Sequence, residues 1–197
     1  MKIQFIADRH TANGTSLYFM NVDQTASGPE KEGRHAYHLS RYELEKTFVG
    51  DYLWIDPTNV VLGDSDGFLH LLQWKIPNID GRAPSGTKRI NVQPLAKLRA
   101  HQDGIREIAY QREMRWTLSG ADVGGLVISD VNIWDQKKGR VSTLPIPSNA
   151  SGVSTVRWHP SSWLLFIFCI QIGLVHSFPC SEVCTELRHR RRSLYPV

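Results

Sequence analysis

The stretch LRAHQDGIREIAYQREMRWTLSGADVGGLVISDVNIWDQKK, residues 98–138, decides how this chain folds. Residues 105–110 alternate apolar and polar side chains, as a strand with one buried face does. Residues 116–120 read as the next strand and residues 131–135 as the one after, with residues 94–98 as an outer strand ahead of them. Several short strands joined by turns make a small antiparallel sheet, and such a sheet must bury its faces on something else. One such unit therefore implies further copies elsewhere in the chain.

Residues 3–7 and 16–22 are strand-like runs around Asn13-Gly14, a strong hairpin signal. Residues 23–35 are polar with Gly and Pro and read as a loop. Residues 44–54 form one strand-like run, followed by the turn Asp56-Pro57-Thr58-Asn59 and a short buried strand over 60–63. A tight turn, Asp64-Ser65-Asp66-Gly67, then leads into the strand 68–72. Residues 75–93 read as a long polar linker. A fourth unit opens at residues 152–160, with the same alternation as residues 105–110. Gly104 and Gly152 stand 48 residues apart, close to the roughly 40–45 residues of a propeller blade repeat. After Pro160 the pattern dissolves.

Ala100-His101, the alternating strand, Ser119-Gly120 and Trp134-Asp135 together resemble the WD-repeat β-propellers, over residues 40–170. The resemblance implies an all-β fold: a partial propeller of three to four blades of four-stranded antiparallel sheet. Blades are expected near residues 1–35, 36–75, 94–140 and 150–170, with an irregular basic tail over 171–197. In this family a His, a Ser or Thr, an Asp and a Trp form a hydrogen-bonded tetrad that is structural, not catalytic. Carried over, the tetrad is His101, Ser119, Asp122 and Trp134, with Asp130 as the other choice for the aspartate. Asp122 lies twelve positions before Trp134 and Asp130 four, and the extra residues 123–129 imply a late strand after a bulge, or an insertion. In the second unit Asp66-Gly67 is the corresponding turn. The tryptophan is missing there, since its place falls at Leu72 and Trp74 comes two residues late.

The composition is that of an ordinary globular chain: 197 residues, 41% hydrophobic and 21% charged. The net charge of +4 owes much to Arg188, Arg190, Arg191 and Arg192, a run that reads as a solvated tail. Three cysteines, Cys169, Cys180 and Cys184, offer neither a disulfide framework nor a complete metal site and suit a reducing cytosol or nucleus. The apolar run 163–175 is thirteen residues, short of the roughly 17–25 a spanning helix needs. His35 and His38 lack an acidic co-ligand, so no metal is expected. Residues 120–125, GADVGG, have neither a P-loop lysine nor a GxGxxG spacing, so no phosphate cofactor is expected. Ser119 with His101 and Asp122 is not a nucleophilic triad, because the GxSxG elbow is absent.

The expected function is thus a non-catalytic protein-interaction scaffold, with Tyr37, Tyr42 and Trp74 as candidate rim contacts for a partner. Residues 47–73, and residues 155–160 to a lesser degree, resemble the WD-repeat subunits of methylosome complexes. That resemblance implies an arginine methyltransferase as partner and presentation of Arg-rich substrates. Two other readings stay open. One is a nucleic-acid-associated protein using the arginine tail, whose affinity would fall steeply with salt. The other follows from the abrupt change after Ser162, which reads as an alternative end to a longer frame: a truncated, non-functional isoform with unpaired sheet edges.

Overall fold

The computed structural model describes residues 2–23, 36–74, 92–123, 125–131, 141–144, 152–159, 162–170 and 175–179. These hold four antiparallel meanders. The first is β1 (Lys2–Thr11), β2 (Gly14–Asp23) and β3 (Ala36–Glu45). The second is β4 (Val49–Trp54), β5 (Asn59–Asp64), β6 (Phe68–Trp74) and β7 (Val92–Arg99). The third is β8 (Ile105–Gln111), β9 (Trp116–Ala121), β10 (Leu126–Asp130) and β11 (Val141–Leu144). The fourth is β12 (Val153–His159), β13 (Ser162–Ile170) and β14 (Val175–Pro179). Sequence neighbours pair within each sheet, so local contacts build it and the chain passes to the next sheet from its last strand. Among the described residues no helix is long and apolar enough to cross a membrane.

The sheets pack face to face in chain order. Strand β8 lies against β4 and β5, and β12 lies against β8 and β9. Between the first two sheets Leu17 and Phe19 meet Val60, Leu62, Leu72 and Trp74. Between the second and third, Val61, Leu69 and Leu98 meet Ile105, Ile108 and Val131. Strands covered on both faces read as continuous apolar runs, and β9 and β10 are buried at every position.

Each of the three strands that open a sheet from β4 onward carries a β-bulge at the same place, one residue after the start: between Val49 and Asp51, between Ile105 and Glu107, and between Val153 and Thr155. The bulge brings residues three apart onto one face. Ile105 and Ile108 therefore both point at Gly63, and Val153 and Val156 both point at Gly120. A methyl group on Gly120 would lie 2.6 Å from Val153 Cγ1. Gly120→Ala is thus expected to destabilise the chain by about 1–3 kcal/mol through overpacking. Adding Val153→Ala should recover part of that loss in urea unfolding. A double variant no more stable than Gly120→Ala would refute direct contact as the cause.

Several expectations change. The run 44–54 is not one strand: β3 ends at Glu45, Lys46 adopts a positive φ of 58°, and β4 begins at Val49 in a different sheet. The first hairpin turns at Ala12-Asn13, with Gly14 (φ 124°) opening β2 opposite Thr11. The strands 36–45 and 92–99 close the sheets before them rather than open the units that follow, which moves the blade boundaries. Within residues 123–129, expected to be a late strand after a bulge or an insertion, Leu126 onward belongs to β10, while residues 132–135 of the strand expected at 131–135 lie outside the described residues. The pattern does not dissolve after Pro160, because β13 and β14 continue the fourth sheet, and residues 175–179 belong to it rather than to an irregular tail.

Candidate functional site

One end of the sheets carries a row of interlocked turns. In the turn between β5 and β6, the Asp64 carboxylate accepts the amides of Asp66 at 3.0 Å and Phe68 at 2.8 Å. Gly67 takes a φ of 83°, and its carbonyl accepts the amides of Ala100 and His101, both at 3.0 Å. A side chain there would strike the His101 carbonyl as well as strain the backbone. Phe48 and Ser65 exchange hydrogen bonds, Phe48 N donating to Ser65 Oγ at 3.1 Å and Ser65 N to the Phe48 carbonyl at 2.7 Å. Gly104 abuts Ser65, the Gly104 carbonyl accepts the Asp122 amide at 2.9 Å, and Gly152 abuts the Asp122 carbonyl. These contacts make one continuous rim from Phe48 through Ser65 and Gly104 to Asp122 and Val123. Phe48 is 44% exposed and Val123 is 61% exposed on it. The exposed charges Asp66, Asp103 and Arg106 lie beside them.

Below the rim, buried polar side chains tie turns to strands. His101 Nε2 lies 2.9 Å from Ser119 Oγ, and both residues are buried. Burial pulls the His101 imidazole down to about 4, against an opposing contribution from its hydrogen bond to Ser119. In the second sheet His70 Nε2 lies 2.7 Å from Asp64 Oδ2, again buried. Burial works to raise Asp64, but hydrogen bonds from His70 and from the Phe68 and Asp66 amides hold it below the usual carboxylate range. Thr117 Oγ1 and Ser129 Oγ are 2.6 Å apart with no exposure.

Of the expected tetrad, three residues are described. His101 and Ser119 meet. Asp122 gives its carboxylate to Arg106, which lies at the exposed rim. Asp130 is buried on β10 opposite Trp116. Trp134 lies outside the described residues. The registers Gly63↔Leu69 and Gly120↔Leu126 make Leu72 and Ser129 equivalent, so Ser129, not a tryptophan, fills that position of the third sheet. Trp74 is not a partner contact: it has no exposure, packs at ring distances of 5.8 Å from both Phe19 and Trp54, and donates Nε1–H to Ser40 Oγ at 3.1 Å. Tyr42 is half-buried against the same cluster, and burial raises its phenol. Tyr37 pairs with Val22 in β3, where only its backbone is described. His35, Cys180, Cys184 and the arginine run 188–192 lie outside the described residues. No group of three His, Cys, Asp or Glu side chains among the described residues could hold a metal.

His70, Phe48 and Val123 were not singled out by sequence. His70 could have been: it interrupts an apolar strand six residues after Asp64, across a tight turn, and a buried imidazole needs such a partner.

Meanders stacked face to face, joined from last strand to first, with rim turns braced by the next sheet, are arranged as the blades of a β-propeller. The WD40 domain of coronin from Toxoplasma gondii shares this fold with a TM-score of 0.59 at 11% identity, over 89% of this chain and 40% of that one. A chain of the COPII outer coat vertex on membranes gives 0.58 at 14% identity, over 92% of this chain and 48% of that one. A chain of the COPII coat assembled on membranes gives the same TM-score and identity over 27% of its length. The chain thus spans less than half the length of each of these structures. No family model and no curated protein matches the sequence.

Proposed function

We propose that this chain is a non-catalytic protein-binding scaffold and that the rim from Phe48 to Val123 is its docking surface. The observation that carries this reading is the pair of exposed apolar side chains, Phe48 and Val123, on turns that neighbouring sheets brace. Apolar anchors on a rigid frame among charged neighbours are what a protein interface needs, because little entropy is lost on binding. Structures of similar fold come from multi-chain assemblies such as the COPII coat. His101 and Ser119 serve this function by holding the turn, as does the Asp66-Gly67 turn.

The resemblance of residues 47–73 makes an arginine methyltransferase the first partner to test. The full tagged chain, purified from its source cell, should retain such an enzyme, and Phe48→Asp with Val123→Asp should reduce recovery about tenfold or more. Unchanged recovery by the double variant would move the interface off this rim. A wild-type chain that retains other proteins but no methyltransferase would keep the scaffold and remove that partner. A wild-type chain that retains nothing would remove both.

A further inference from the structure

Strands β4, β8 and β12 each form the first, edge position of their sheet, so half of their amides have no partner within it. At the position three residues after each strand's start these amides belong to Tyr52, Ile108 and Val156, which are equivalent by the shared bulge. All three are satisfied by carboxylates. Asp51 Oδ1 accepts the Tyr52 amide at 2.8 Å, and Asp51 Oδ2 accepts the Ile108 amide of the next sheet, also at 2.8 Å. Glu107, at the position equivalent to Asp51, repeats the second bond: its Oε2 accepts the Val156 amide at 2.8 Å. Its other oxygen meets Arg157, which stands where the third sheet has Ala109. The carboxylates and Arg157 line one groove of about 420 Å³ with Tyr52, Tyr110 and Trp158.

We propose that Asp51 is a two-headed clasp, one carboxylate capping the edge amides of two successive sheets, and that Glu107 carries the same clasp to the next seam. The device joins neighbouring sheets at the edge where each is thinnest and occupies the amides that an intruding strand would use. It ends at Thr155, the next equivalent position, which has a single hydroxyl in place of a carboxylate. The acid must be a carboxylate at position 51, because both of its oxygens accept. An asparagine there offers one acceptor and turns an NH2 toward the other amide. Position 107 is different, since only one oxygen faces an amide and a glutamine carbonyl can replace it. Burial pushes the Asp51 carboxyl up in spite of the two amides, with Glu107 adding to the rise and Arg157 opposing it.

Residue-resolved amide hydrogen exchange on the full chain tests this. Asp51→Ala should speed exchange at both Tyr52 and Ile108 at least tenfold and Asp51→Asn at one of the two, while Val127, in the centre of β10, changes less than threefold. Glu107→Ala should speed Val156 alone, and Glu107→Gln should leave it within about threefold of the parent. Equal acceleration at every amide, or no acceleration at Ile108 in Asp51→Ala, would overturn the clasp. The unmodified chain gives a second readout should these variants not fold. In an acid titration followed by NMR, the Tyr52 and Ile108 amide protons should shift together with one midpoint. Separate midpoints for Tyr52 and Ile108 would refute a shared carboxylate.

Discussion

Between pH 6.5 and pH 4 the chain is expected to lose about 3 kcal/mol of stability through His101. The imidazole titrates near 4 in the folded chain, against 6.5 for a free histidine, because it is buried against Ser119. In that window the unfolded chain binds a proton that the folded chain refuses, so stability falls as pH falls. Each unit of difference corresponds to about 1.4 kcal/mol, which gives the total above. The loss is complete near pH 4 and absent above pH 7. The carboxylates held below their usual range, Asp64 and Asp56, add their own acid losses at lower pH, because their folded forms resist protonation too. Urea unfolding at pH 7, 5.5 and 4.5 should therefore show a steeper decline for the parent chain than for His101→Gln. Parallel declines would mean that the buried ring is not the group that titrates.

Trp74→Ala is expected to cost about 3–5 kcal/mol, the range for emptying a buried aromatic site. Trp74 is fully enclosed between two sheets, and its removal opens the space between Phe19 and Trp54 and leaves the buried Ser40 hydroxyl without its donor. Trp74→Phe keeps most of the packing and loses the hydrogen bond, so it should cost markedly less than alanine. Chemical denaturation of the two variants checks both magnitudes. A loss below about 1 kcal/mol for alanine would show that the first sheet does not depend on this seam.

Much of the architecture was legible because strands, tight turns and their spacing are local properties. Residues 105–110, 116–120 and 153–159 alternate or run apolar as buried strands must, and the Asp64 to Gly67 turn sits where its residues say. What failed did so for identifiable reasons. Lys46 takes its left-handed turn without a glycine, so nothing in residues 44–54 announces the change of sheet. Residues 126–130 are a short apolar run beside the stronger Trp134-Asp135 signature, and pairing with β9 makes them a strand. Residues 175–179 alternate weakly, and only pairing with β13 makes them a strand. At the candidate site the His101–Ser119 pair was readable from residue type, while the Arg106–Asp122 pair and the rim position of Phe48 depend on which turns meet in space. No pattern along one strand carries that information.

The repeated bulge has a consequence for how these strands tolerate change. The inserted residue is Gly50 in one strand, Arg106 in the next and Ser154 in the third, three side chains with nothing in common. Arg106 and Ser154 carry side chains there, whereas a Cβ on Gly50 would strike the Ile105 carbonyl. Flatten the bulge while keeping the residue, and everything downstream exchanges inside for outside: Ile108 would turn to the groove and Glu107 to the interior, because side chains alternate with a strict period of two. A deletion of the inserted residue leaves a regular ladder with Ile105 and Ile108 still on one face, so these strands absorb a change in length that would invert an unbulged strand.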